Sequence, residues 1–192
     1  MNKITLDHFG MIAPFYDKAL PLRRAERIIE LAKLPVIGKL LDAGGGTGRV
    51  AQALKAYVSQ TIVADLSFGM LSQAKYKDGL HLICSYSETL PIPDGTFERI
   101  IMVDALHHVL NQLETASELY RVLKPGGRIV IEEPDIGKFM VKLIAIAEKL
   151  FLMRSHFLSP QNIAQLFHPY ESHAQILRDD YSAWVIIDKD AR

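Results

Sequence analysis

Along this chain, short apolar runs of β-type residues alternate with longer stretches in which apolar positions recur every three or four residues. The runs GKLLDA (38–43), TIVADL (61–66), LHLICS (80–85), RIIMVD (99–104) and GRIVIEE (127–133) predict five strands. Helical spacing predicts helices over 48–58, 68–77 and 112–123 between them. Strands apolar on both faces, in a βαβα order, predict a parallel sheet covered by helices. Before the first strand, residues 22–34 read as an amphipathic helix whose core side is Leu22, Ile28, Ile29, Leu31, Ala32 and Leu34.

Turn chemistry sharpens the boundaries. PIPDGTF (91–97) predicts a turn leading into the fourth strand, and Asn111 or a neighbour caps the helix 112–123. LKPGG (123–127) puts Lys124 in a last helical turn, Pro125 as a stop, and two glycines able to take positive φ. After the fifth strand the pattern changes. A long apolar helix is expected over about 137–154 and a short one over 159–167, with Pro160 near its start. HAQILRDD (173–180) and YSAWVIIDKD (181–190), joined by a tight polar turn, predict a hairpin. The fold class is therefore α/β: a Rossmann-like, doubly wound, seven-stranded sheet, mostly parallel with an antiparallel last strand, and helices on both faces. One domain is expected over 1–192. It comprises an N-terminal cap and helix (1–35), a ligand-binding core (36–135), and further helices with the terminal hairpin (136–192).

Composition narrows the function classes. The 192 residues carry 22 Lys+Arg and 22 Asp+Glu, so the broad basic footprint of a nucleic-acid binder is absent and no nucleic acid is expected as partner. The single cysteine, Cys84, lies in an apolar run and reads as a small buried residue. That usage excludes a disulfide scaffold and fits a reducing cytosol. The N-terminal stretch does not read as a signal peptide. The most apolar stretch, FMVKLIAIAEKLFLM (139–153), is interrupted by Lys142, Glu148 and Lys149 and is too short to span a bilayer. A cytoplasmic protein without stable membrane insertion is expected.

Candidate chemistry concentrates in LLDAGGGTGRVAQAL (40–54), at the carboxyl end of the first strand, where doubly wound sheets bind ligands. The spacing is Asp42-x-Gly44-x-Gly46-x-Gly48, with Arg49 where a dinucleotide fingerprint would place its third glycine. An acid at the mouth of the loop repels a pyrophosphate and attracts an ammonium or sulfonium. The helix start near Arg49 suits an anionic group. Asp65, ending the second strand, stands at the spacing of a ribose-binding acid. A ligand with an amino-acid end and a ribose end satisfies both, and S-adenosyl-L-methionine is the common cofactor of that kind. An NAD(P)-binding oxidoreductase of the same doubly wound type, or a silent binder of S-adenosylmethionine, stays open at this point.

Five segments, LLDAGGGTGR, VADLS, ETLPIPDGTFERI, ALHHV and RVLKPGGRIVIEEP, together resemble class I S-adenosylmethionine-dependent methyltransferases, in that family's order. The nearest flavour is the small-molecule group that includes ubiquinone/menaquinone-biosynthesis methyltransferases, whose N-terminal segment IAPFYDKAL also resembles. The resemblance implies methyl transfer from S-adenosylmethionine to a small, hydrophobic or aromatic acceptor, with oxygen, carbon and nitrogen acceptors all open. It implies that Asp42, Gly44, Gly46 and Gly48 hold the methionine part, with Tyr16 closing over that end. Asp65 would bind the ribose, Leu66 would lie beside the adenine, and Leu106 and His107 would line the floor. One departure stands out. The family often reads Gly-Asp-Ala-Glu where this chain has SYSE (85–88), so Tyr86 occupies the acid's position. Tyr86 can stack on adenine or offer its hydroxyl, and Ser85, Ser87 or Glu88 can supply polar contacts.

A weakly acidic acceptor needs a base, and His107 and His108 are the catalytic candidates; each also reads as a packed histidine. Asp104 could orient a histidine or the substrate. Glu132 and Glu133 point to opposite faces of a strand, so no metal site is expected there. His156, His168 and His173 read as scattered polar histidines. The apolar stretch 139–153 suits a wall for a lipophilic acceptor, extended by Tyr170, Phe157 and His156, or a homodimer contact.

Overall fold

The computed structural model of the chain describes residues 7–19, 25–135, 156–170, 172–179 and 182–191. The expected helix over 137–154, with its wall and dimer roles, and Leu22 lie outside the described residues. The elements are α1 (His8–Ala19), α2 (Ala25–Leu31), β1 (Lys39–Ala43), α3 (Arg49–Leu54), β2 (Gln60–Asp65), α4 (Phe68–Ala74), β3 (Leu80–Cys84), β4 (Phe97–Val103), α5 (Gln112–Val122), β5 (Leu123–Pro134), α6 (Pro160–Gln165), β6 (Ser172–Arg178) and β7 (Ser182–Lys189). Short 3₁₀ turns at Lys55–Tyr57 and Leu106–His108 complete them. Among the described residues, no helix is long and apolar enough to cross a membrane.

The strands form one seven-stranded sheet in the order β3-β2-β1-β4-β5-β7-β6. β3 to β5 pair in parallel, and β7 pairs antiparallel with both β5 and β6. Alternate residues feed two cores. Leu41, Ile100, Ile129, Ile131 and Val185 share one face with Leu119 of α5 and Ile163 of α6. Leu40, Ile101, Val130, Trp184 and Ile186 share the other with Ile28 and Leu31 of α2 and Val50 and Leu54 of α3. The order in which strands are added reverses about β1, which pairs in parallel with β2 on one side and β4 on the other. That reversal opens a crevice at the carboxyl ends of β1 and β4.

Element boundaries follow local chemistry. α2 ends at Leu31, where Arg128 donates to Leu31 O at 2.8 Å and Arg99 donates to Ala32 O at 2.6 Å, so two guanidinium groups satisfy its last carbonyls. The Asn111 side chain accepts from Leu113 N and Glu114 N and caps α5. The expectation that Lys124 closes a helix is corrected. Leu123 is already extended, with φ −76° and ψ 132°, and Lys124 lies in β5, paired with Glu98. Of the two following glycines, Gly126 alone takes a positive φ, 73°. Cys84 is exposed rather than buried, because β3 is the edge of the sheet and one side of it faces water.

Candidate functional site

The glycine loop leaves β1 with Gly44, Gly46 and Gly48 all left-handed, at φ 66°, 55° and 72°. Its amides are used inside the protein. Gly44 N and Gly45 N donate to Ala64 O, Gly46 N to Asp65 Oδ2 at 2.8 Å, and Gly48 N to Gly45 O at 2.8 Å. A phosphate cradle needs such amides turned toward the ligand; this loop turns them inward. Asp42 lies beneath the loop, not at its open mouth. It is 1% exposed and accepts from Ala51 N, in the first turn of α3, at 3.1 Å. Gly45 covers it so closely that a Cβ there would fall 2.6 Å from Asp42 Cγ. Burial pushes the Asp42 carboxyl up to about 7, against the pull of the Ala51 N–H and Arg49. Asp42 thus holds the loop and the start of α3 from beneath rather than facing open space.

Asp65 ends β2 with Oδ2 on Gly46 N and Oδ1 on Ser67 N at 2.7 Å. Each oxygen retains acceptor capacity for a hydroxyl. Burial raises its pKa, and the two backbone N–H groups oppose that shift. Leu66 is exposed beside it, and Tyr86 is 46% exposed past the end of neighbouring β3. Within the SYSE segment, Glu88 is already engaged: Oε1 accepts from Leu110 N at 2.8 Å and Asn111 N at 3.0 Å, holding the start of α5. Ser87 is buried, and Ser85 Oγ is buried with no hydrogen-bond partner among the described residues.

α1 lies along α4 over this region. Asp7 accepts from Ser67 Oγ at 2.8 Å at one end. At the other, Asp17 accepts from Thr47 Oγ1 and from Lys77 Nζ at 2.7 Å, and Lys77 also donates to Thr47 O at 2.7 Å. Between these ends the two helices touch at Gly10 and Gly69. Tyr16 stands with the Arg49 guanidinium 5.8 Å from its ring centroid. Its pKa is raised chiefly by burial, and Arg49, Asp104 and Asp65 are near enough to shift it too.

Past β4, Leu106 and His107 are buried. His107 Nδ1 lies 2.5 Å from Glu133 Oε2, and Glu133 Oε1 accepts from Ala105 N at 3.1 Å and Leu106 N at 2.8 Å. The Phe157 ring stacks on His107 at 4.3 Å, and His156 N donates to His107 O at 2.8 Å. His108 contacts His107 at 3.9 Å and the edge of Phe9 at 4.9 Å. Burial, and secondarily the neighbouring His107, push His108 down to about 3. Tyr170 is not beside these rings; it stacks on Tyr120 at 4.5 Å in the core under α5. Among the described residues, no group of three or more His, Cys, Asp or Glu side chains is placed to hold a metal ion.

Sequence reasoning missed Glu133 as the histidine's carboxylate and missed the Asp17–Lys77–Thr47 latch. A signal existed for the first. β4 and β5 pair in parallel with Val103 opposite Glu132, which sets Glu133 beside the turn that follows β4. No local pattern announces the latch, whose members lie 30 or more residues apart.

A family described as a methyltransferase domain matches residues 41–131. The demethylmenaquinone methyltransferase of Thermus thermophilus is 33% identical over 148 residues, which are 68% of this chain and 67% of that protein. A ubiquinone/menaquinone biosynthesis C-methyltransferase UbiE of Coxiella burnetii is 32% identical over 105 residues, 50% of this chain. That match spans 42% of the relative's length. The solved structure of a SAM-dependent methyltransferase from Aquifex aeolicus superposes with a TM-score of 0.71, covering 97% of this chain and 99% of that one at 17% identity, which is a likeness of fold.

Proposed function

Because the chain belongs to the S-adenosylmethionine-dependent methyltransferases, we propose that it transfers a methyl group from that cofactor to a small, hydrophobic or aromatic acceptor. The observation that carries this reading is the pairing, at the carboxyl ends of β1 and β2, of the Arg49 guanidinium over the Tyr16 ring with the Asp65 carboxylate held on Gly46 N and Ser67 N. When bound, the cofactor supplies an electrophilic methyl on a sulfonium, and the chain supplies position and proton handling.

The residues present fit that ligand. Arg49 offers a guanidinium for the amino-acid carboxylate, and Tyr16 covers the same end. Asp65 retains acceptor capacity for ribose hydroxyls. Leu66 and Tyr86 offer exposed apolar surface for a base. The inward-turned loop amides disfavour a dinucleotide pyrophosphate, which weakens the NAD(P) alternative. Of the two histidines, His107 is buried against Glu133. His108, pushed down to about 3, is a poor proton acceptor near neutral pH and serves as a wall. The names of the relatives, a ubiquinone/menaquinone biosynthesis C-methyltransferase and a demethylmenaquinone methyltransferase, point to a quinone-type ring as acceptor class.

Thermal unfolding with S-adenosylhomocysteine and, separately, with NAD tests the reading. The midpoint is expected to rise with S-adenosylhomocysteine concentration and to stay put with NAD. A rise with NAD alone would overturn it. Radiolabelled methyl transfer to a panel of quinols and phenols then identifies the acceptor.

A further inference from the structure

We propose that Lys77 is a positioning residue of this site: by joining Asp17 of α1 to the Thr47 carbonyl of the glycine loop, it latches α1 down so that Tyr16 stays over the amino-acid end of the cofactor. The inference rests on the methyltransferase reading and goes beyond it, making cofactor residence depend on one ion pair and therefore on salt.

Three segments far apart in sequence meet at the latch. Lys77 follows α4, in a turn where its backbone N–H donates to Ala74 O at 2.9 Å. Its ammonium donates to Asp17 Oδ2 at 2.7 Å and to Thr47 O at 2.7 Å. Asp17 Oδ1 accepts from Thr47 Oγ1, which closes the triangle. Thr47 is 1% exposed, so its hydroxyl and carbonyl draw their partners from Asp17 and Lys77 rather than from bulk water. An ion pair between freely exposed side chains contributes little. This one differs, because the Lys77 side chain is 20% exposed and its second acceptor is a carbonyl of the loop, which holds the ammonium in one place.

The latch stands next to the contact that faces the ligand. Asp17 follows Tyr16 on α1, and Thr47 lies two residues before Arg49 in the loop. The same two segments therefore meet twice: through Asp17 on Thr47, and through the Tyr16 ring with the Arg49 guanidinium 5.8 Å from its centroid. Two attachments fix the roll of α1 about its own axis, which a single one leaves free. At the other end of α1 the described contacts carry no cation. Gly10 packs on Gly69, and Asp7 accepts from Gly10 N and from Ser67 Oγ, both at 2.8 Å. Loss of the Lys77 charge is thus expected to leave α1 docked at Gly10 and loose at Tyr16.

Stopped-flow release of S-adenosylhomocysteine tests the latch. From wild-type protein, release is expected to quicken between about 0.1 M and 1 M sodium chloride, as the screening length falls from about 10 Å to about 3 Å. Lys77→Met keeps the apolar stem and removes the charge. It is expected to release S-adenosylhomocysteine about tenfold faster at low salt, with association little changed, and to respond little to further salt. 5′-Methylthioadenosine shares the nucleoside but lacks the amino-acid end, so its release is expected to be alike in the two proteins. Lys77→Arg, which keeps a donor and the charge, is expected to retain most of the wild-type residence time. Asp17→Asn keeps the contact with Thr47 and removes the other charge of the pair, and is expected to repeat the effect of Lys77→Met. A merely structural lysine would lower the urea midpoint and weaken both ligands alike; equal weakening of the two ligands therefore overturns the positioning role. So does a wild-type release rate that ignores salt, or a release rate unchanged in Lys77→Met or Asp17→Asn. Failure of wild-type protein to bind S-adenosylhomocysteine at all overturns the methyltransferase reading instead.

Discussion

Asp42 is the acid most removed from water in the site, and its protonation is linked to folding. Its pKa lies near 7 in the folded chain against 3.8 for an ordinary aspartate, and burial is the main cause. Between those values the folded chain holds a proton that the unfolded chain has released. This group's contribution is therefore full below about pH 4 and is lost as pH rises through 7, a change on the order of a few kcal/mol. Asp42→Asn is expected to flatten that slope and to gain stability relative to wild type at pH 8, measured by urea unfolding at a series of pH values. The acid itself was legible in the sequence, but its depth was not. Spacing places Asp42 next to the glycines; only the packing of Gly45 over its carboxyl puts it under the loop. Glu133 shows the same gap. Its neighbour pair IEE was readable as strand, but its contact with His107 spans 26 residues and depends on how β4 meets β5.

At the scale of elements, α1 is held to α4 by a small set of identifiable contacts. It contains Pro14 and rests on α4 through glycine against glycine, with an ionic latch at the far end. A Cβ on Gly69 would fall 2.4 Å from Gly10 Cα, so Gly69→Ala is expected to lift α1 off α4 at a cost of about 1–3 kcal/mol. Faster proteolysis within residues 8–19 and weaker binding of S-adenosylhomocysteine would report it. The core strands were legible because their apolar runs are continuous and bounded by turn residues, and each lies within a few residues of its expected place. Helix ends were less so. The stretch 112–123 gives up Leu123 to β5, and Lys124, expected in a last helical turn, goes with it, since strand pairing across Phe97 and Leu123 outweighs the local preference for one more turn. α1 carries Gly10 and Pro14 within its span, which mask a helical pattern, and only the family resemblance drew attention to Tyr16.

At the scale of the whole molecule, the two faces of the sheet are joined to different helices, and Trp184 anchors one of them. It is 0% exposed, packs among Ile28, Leu40 and Val130, and donates from Nε1 to Asp179 Oδ2 at 2.7 Å. Trp184→Ala is expected to destabilise the fold by about 3–5 kcal/mol in urea unfolding, with loss of the partner for Asp179 adding to the cavity. The placement of β7 between β5 and β6 has a consequence for biogenesis. On a ribosome the parallel strands emerge first, and β5, whose residues 127–133 are all buried in the finished sheet, waits with one whole row of peptide groups unsealed. Among the described strands, β7 is the one that closes that seam. A translation product that stalls before residue 182 would therefore leave a sticky, templating border, and would be cleared or clump rather than persist as an idle enzyme.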